Sequence, residues 1–127
     1  MLAIRSAEDI VRMRHAVREQ AVGHGFTLVE QTKVVTAASE LARNIINYAD
    51  AGEVAVTIVM QGIRKGLKLV FSDQGPGIPD IELAMKDGYT TGGGMGLGLG
   101  GAKRLSSEFA IDTRPGAGTR VTITRWK

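Results

Sequence analysis

Residues 53–73 read EVAVTIVMQGIRKGLKLVFSD, and this stretch decides the fold class. Val54, Val56, Ile58 and Met60 occupy alternate positions, and after the break Gly62-Ile63-Arg64-Lys65-Gly66 so do Leu67, Leu69 and Phe71. A period of two puts each set on one face of a strand, and the short glycine-bounded break makes the pair an antiparallel hairpin. Phe109, Ile111 and Thr113 alternate into Pro115-Gly116-Ala117-Gly118, and Val121 and Ile123 alternate out of it, which predicts a second hairpin. Strands joined directly by hairpins exclude a doubly wound parallel sheet, whose neighbouring strands need crossover helices. The expected class is α+β, with a mixed or antiparallel sheet and helices on one face.

Upstream of the first hairpin the period is helical. Leu2 to Arg5 reads as a short strand, after which Ser6 and Asp9 form an S-x-x-D cap and Ile10, Met13, Val17 and Ala21 make one stripe. Gly23 and Gly25 end that helix. Thr27 and Glu30 form a second capping box, followed by Val34, Ala38, Leu41, Ile45 and Ala49 on one face, so a long helix is expected from about Leu28 to Tyr48. After Asp73 come a turn-rich stretch, a short amphipathic piece around Ile81 to Met85, a glycine cluster, and a helix expected over Ala102 to Ser106. The order is β-α-α-β-β-loop-α-β-β.

A chain of 127 residues with 43% hydrophobic content is one domain, expected to span residues 1–127. The absence of cysteine excludes disulfide frameworks, Cys-ligated zinc, iron-sulfur clusters and thiol catalysis. Sixteen Lys and Arg against 13 Asp and Glu leave a net charge of +3, scattered along the chain, so charge does not indicate nucleic acid. Arg5, Glu8 and Asp9 precede any apolar leader segment, and no run approaches the ~18 apolar residues that span a bilayer, so no membrane role and a cytoplasmic location are expected. One composition feature stands out: of 17 glycines, seven lie between Gly92 and Gly101.

Four pieces of the chain carry candidate chemistry. Glu40 and Asn44 are i,i+4 neighbours off the apolar stripe of the long helix, so their oxygens can address one ligand. A carboxylate can take a proton from a hydroxyl, and an amide oxygen suits a Mg²⁺ that also carries phosphates. Taken alone, the pair reads more readily as an exposed Glu40 bound to Arg43 beside a solvated Asn44. Asp73 ends a strand before Gly75 and Gly77, where its carboxylate can accept from an exocyclic amine or simply close an Asx-turn. Gly92-Gly-Gly-Met-Gly-Leu-Gly-Leu-Gly-Gly101 runs into a helix, an arrangement whose backbone amides suit polyphosphate. Gly96 to Gly101 satisfies G-x-G-x-x-G formally, but no strand precedes it and no acidic residue follows about 20 positions on, so a dinucleotide fold is rejected. The Walker pattern fails too, because neither Lys65 nor Lys103 follows a glycine as it requires. Finally, Gly116-Ala117-Gly118-Thr119 is a hairpin turn whose Thr119 hydroxyl can reach a ligand held by Asp73.

Together, Glu-x-x-x-Asn on a helix, D-x-G-x-G after a strand, G-x-G-x-G before a helix and G-x-G-T in a terminal hairpin resemble the N, G1, G2 and G3 boxes of the GHKL ATPases. The resemblance covers nearly the whole chain and implies their two-layer α/β sandwich, the Bergerat fold. Within that superfamily SELARN at 39–44, DQGPGIPDI at 73–81, DGYTTGGGMG at 87–96 and GAKRLSSEF at 101–109 are similar to the RsbT group of serine-protein kinases. Gly100 departs from the proline expected in that group, and Ser106-Ser107 replaces a bulkier, more acidic pair.

Carried onto this sequence, the resemblance implies ATP and Mg²⁺ as cofactors. Glu40 is the residue that activates the attacking hydroxyl, Asn44 the Mg²⁺ ligand, and Asp73 the adenine contact. Gly75 and Gly77 form the turn beneath it, Gly92, Gly93, Gly94, Gly96 and Gly98 belong to a phosphate lid within residues 88–101, and Thr119 is a second contact near the base. The implied activity is a serine/threonine kinase of bacterial stress signalling whose substrate is a STAS-domain protein and which, once released, activates a PP2C-type phosphatase. The alternative is an anti-sigma factor kinase like RsbW or SpoIIAB, whose relatives carry asparagine and histidine where this chain has Ala42-Arg43-Asn44-Ile45. A histidine-kinase fragment would need a phospho-accepting helix pair, which neither His15 nor His24 supplies, and Glu40 argues against a non-catalytic switch.

Overall fold

The computed structural model describes residues 1–77, 98–114 and 116–127. Strands β1 (Leu2–Ile4), β2 (Gly52–Gln61), β3 (Arg64–Asp73), β4 (Glu108–Arg114) and β5 (Gly118–Trp126) form one five-stranded sheet in the order β1-β2-β3-β5-β4. Every pairing is antiparallel, so of the two sheet types expected the antiparallel one is realised. Helices α1 (Ala7–Gly23), α2 (Leu28–Ala49) and α3 (Gly98–Arg104) complete the described elements.

The helices start where their caps dictate. The Ser6 side chain accepts from the Asp9 backbone N–H, satisfying one of the unpaired amides of the first turn of α1. At α2 the capping box is complete: Thr27 Oγ1 accepts from Glu30 N at 3.1 Å and Glu30 Oε1 from Thr27 N at 2.8 Å. Asp50, in the left-handed region at φ 66, turns the chain out of α2, a conformation that a short polar side chain tolerates.

The core lies between these helices and one sheet face. Met13, Val17 and Ala21 of α1 and Val34, Ala38, Leu41 and Ile45 of α2 are buried, and so are Val54, Leu67, Leu69, Phe71, Val121 and Ile123 of the sheet. Fully burying each large apolar side chain contributes about 1.5–3 kcal/mol, which outweighs the modest helix propensity of the Val- and Thr-containing start of α2. Two details differ from the sequence reading. The strand face of β2 is not uniformly interior, since Met60 at the far end is 56% exposed. The last helix begins at Gly98, ahead of the expected Ala102, and ends at Arg104. Gly100, Gly101 and Ala102 are buried in it, and with no side chain larger than a methyl between them α3 can approach α2 closely.

Candidate nucleotide-binding site

Segments far apart in sequence meet between α2 and the adjoining ends of β3 and β5. They frame a small cleft. Asn44 and Tyr48 of α2, Asp73 at the end of β3, Pro76 and Gly77 beyond it, and Thr119 of β5 line it, against an apolar wall that includes Leu41, Ile45, Phe71, Leu99 and Val121. An apolar slot with a few convergent polar atoms suits a flat base better than a sugar or a bare ion.

Asp73 is set by the ladder on both sides, opposite Gly52 of β2 and Thr119 of β5. Its Oδ1 accepts a hydrogen bond from Gly75 N at 2.9 Å, so the expected Asx-turn exists and lies in the cleft region at the same time. The turn presses on α2: a Cβ at Gly75 would sit 2.5 Å from the Ala49 Cβ. It also presses on the terminal hairpin, where Gly116 N donates to Pro76 O at 2.7 Å. Gly118 has φ 95, and a side chain there would overlap the Asp73 carbonyl oxygen. The two glycine turns therefore brace each other, which holds Asp73 and Thr119 side by side.

Glu40 stands one helical turn before Asn44 and does not line the cleft. It is buried, and its Oε1 lies 2.9 Å from Arg43 Nη1, the Arg43 side chain being 40% exposed. Both sequence readings meet here: the Arg43 pairing is real, but the carboxylate it holds is not an exposed one. Among the sequence-predicted residues, Asn44, Asp73, Gly77 and Thr119 are thus brought onto one cleft, Gly75 shapes its turn, and Glu40 stands one turn away. Gly98 is the first residue of α3, so the last residues of the lid expected over 88–101 are helical. Gly92, Gly93, Gly94 and Gly96, and the amphipathic piece around Ile81 to Met85, lie outside the described residues. Tyr48 was missed, although it follows Asn44 at i+4 and so shares its helix face.

Residues 29–127 match the family model described as histidine kinase-, DNA gyrase B-, and HSP90-like ATPase. The chain belongs to this ATPase family. Over 118 residues the ATPase is 47% identical to the serine/threonine-protein kinase RsbT of Bacillus subtilis (strain 168), a match that covers 93% of this chain and 89% of the relative. It is 30% identical over 105 residues to the anti-sigma F factor of Thermoanaerobacter sp. (strain X514), covering 79% of this chain and 73% of that protein. Among solved structures, that of the RsbU and RsbW domains of a Mycobacterium tuberculosis protein superposes with a TM-score of 0.70 at 18% identity, over 100% of this chain and 32% of the other. The mycobacterial sensor histidine kinase MprB gives a TM-score of 0.58 at 21% identity, over 98% of this chain and 95% of the other. At those identities the structures speak for the fold, the two-layer sandwich of the family.

The residues present fit ATP and Mg²⁺. Asp73 offers an acceptor-only carboxylate at the end of an apolar slot, and Asn44 offers a neutral amide oxygen at its α2 side. Among the described residues no three His, Cys, Asp or Glu side chains converge on one point. A hard cation here is accordingly suited to binding through one protein oxygen together with substrate phosphates, the usual arrangement for Mg²⁺. No described helix is long and apolar enough to cross a membrane.

Proposed function

We propose that this ATPase is an ATP-dependent serine/threonine protein kinase of a bacterial partner-switching stress-response system. The observation that carries the reading is the meeting of Asn44, Asp73, Gly77 and Thr119 on one cleft, with a buried carboxylate, Glu40, a turn away on the same helix. The 47% identity with a serine/threonine-protein kinase over most of both chains supports it. ATP supplies the phosphoryl group, and Mg²⁺ offsets the charge of its phosphates. Asp73 accepts a hydrogen bond from the base, Thr119 adds a second polar contact, and Asn44 holds the metal through its amide oxygen. Glu40 accepts the proton of the acceptor hydroxyl, with Arg43 fixing one of its oxygens. We take residues 1–127 as one catalytic domain.

The acceptor is a serine or threonine of a STAS-domain protein, and the freed kinase then activates a PP2C-type phosphatase. A new phosphate of about −1.5 to −2 charge, formed beside a site that already holds polyphosphate, repels the interface and releases the product. The test is a pull-down with STAS-domain proteins from the same genome before and after incubation with Mg-ATP. Capture, phosphorylation and then loss of the complex is the expected sequence. A phosphorylated complex that persists defeats the switching step. Capture of a sigma factor instead selects the anti-sigma reading, which the 30% identity with an anti-sigma F factor favours as the second choice.

A further inference from the structure

One edge of the sheet is mostly unpaired. β1 stands opposite only Gly52, Glu53 and Val54, so along residues 55–61 that side of β2 has no partner strand among the described residues. The other side of β2 pairs with β3 throughout, from Gly52 opposite Asp73 to Gln61 opposite Arg64. Sheets usually blunt a free edge with charge, proline or a bulge. Residues 54–63 read VAVTIVMQGI, with neither charge nor proline, and the β2–β3 register runs without a bulge.

The turn fixes which backbone groups face outward. Gly62, at φ 64, and Ile63 form a two-residue hairpin loop, so Gln61 and Arg64 close it as a hydrogen-bonded pair. Bonding direction alternates along a strand. Gln61, Val59, Thr57 and Ala55 therefore turn their N–H and C=O toward β3, and Met60, Ile58 and Val56 turn theirs toward the free edge. Among the described residues no backbone group pairs with these three on that side.

We propose that this edge pairs with the same edge of a second copy, joining two five-stranded sheets into one about a twofold axis at Ile58. The open run 55–61 is centred on Ile58, and Ile58 is itself one of the outward-bonding residues. An antiparallel copy then sets Ile58 opposite Ile58 and Val56 opposite Met60 on either side of the axis, which uses every outward N–H and C=O of both strands. A shift of one residue opposes bonding to non-bonding positions, and a shift of two leaves outward groups unpaired. This self-matching centre is what selects a second copy over a foreign strand. The side chains agree with it. Val56 and Ile58, half-buried against the core, and Met60, 56% exposed, meet one another on the helix-bearing face. On the other face Thr57 meets Val59 and Ala55 meets Gln61, so no charge opposes a charge. No residue of β2 lines the cleft, so the pairing leaves it open and the inference does not depend on what the cleft binds.

The experiment is sedimentation of the full chain over a concentration series, on wild type, Met60→Lys and Thr57→Lys. Both positions are exposed, so a charge there acts on the edge and leaves the melting temperature of the monomer close to that of wild type. The expected result is a monomer–dimer equilibrium in wild type whose Kd rises at least about tenfold in each variant. Oxidative cross-linking reads the register directly, because the chain has no cysteine of its own. Thr57→Cys mixed with Val59→Cys places two thiols on a directly opposed, non-hydrogen-bonded pair, with Cα atoms about 4.5 Å apart, and forms a disulfide-linked dimer. Thr57→Cys mixed with Ile63→Cys, at the turn, does not. Wild type that stays monomeric at its highest soluble concentration overturns the proposal. A dimer that ignores both lysine variants, or that cross-links Thr57→Cys to Ile63→Cys instead, uses another surface and overturns it too. A monomeric wild type whose capture of a partner in the pull-down above is lost with Met60→Lys gives the edge to that partner's strand, and the second copy is then the wrong occupant.

Discussion

The Arg43 guanidinium lies 2.9 Å from the Glu40 carboxylate, one turn before Asn44 on the same helix. Held this way, Glu40 has one oxygen fixed and its carboxylate ordered by a charge-assisted bond. Glu40→Gln keeps a side-chain oxygen for Arg43 but cannot take a proton. It is expected to bind Mg-ATP almost as wild type does and to transfer phosphate about 10²–10⁴ times more slowly, measured in single turnover. Turnover within a few-fold of wild type would remove Glu40 from the chemistry.

Asp73→Asn preserves the turn, because an amide oxygen can still accept from Gly75 N. What changes is the other face of the group, where an acceptor-only carboxylate becomes part donor. ATP affinity should fall about ten- to a hundredfold, the consequence of one mismatched polar contact in a dry slot, while thermal stability changes little. Calorimetry and a melting curve on the same sample separate the two. An unchanged affinity would remove Asp73 from the base site.

Asn44→Ala removes the only polar atoms that α2 residue 44 contributes to the cleft wall. ATP should still bind through its base, but the gain in affinity on adding Mg²⁺ should largely vanish. Titrations with and without the metal check this. A variant that keeps the full Mg²⁺ dependence places the metal on other residues.

Gly118→Ala puts a methyl group against the Asp73 carbonyl oxygen and forces a side chain onto φ 95. The backbone must shift, and positive-φ strain with overpacking costs about 1–3 kcal/mol each. Both stability and ATP affinity should drop, because the displaced turn is the one that braces Asp73. Denaturant unfolding at wild-type midpoint would show the two turns to be independent.

Thr27→Ala tests the opposite case, a change to the fold far from the cleft. Losing the reciprocal cap at the start of α2 should cost about 1 kcal/mol of stability, read as a lower denaturant midpoint with the same slope. Nucleotide affinity of the folded protein should be unaltered. A marked loss of affinity would mean that fraying at Thr27 reaches Asn44 along the helix.

Much of this protein was decided by local sequence. The alternation from Val54 to Phe71 sets the first hairpin because a period of two leaves one face to bury. Ser6 with Asp9 and Thr27 with Glu30 set the starts of both long helices because an unsatisfied first turn needs those side chains. The Glu-x-x-x-Asn spacing put Glu40 and Asn44 on neighbouring turns, since 3.6 residues per turn leaves no other choice. Tertiary structure decided the rest. Only the β3–β5 pairing places Asp73 beside Thr119, 46 positions later in the chain, and a register shift of one residue would have turned Thr119 away. Glu40 sits outside the apolar stripe, yet it is buried, because burial depends on what packs over a residue and not on its own helix phase. The same holds for Gly98 to Gly101: glycine-rich sequence reads as a loop, and they are helical here because packing against α2 outweighs a propensity cost of about 1 kcal/mol per glycine. Thr113 was legible as a strand residue and no more, since its place beside Thr119 exists only once β4 and β5 are paired.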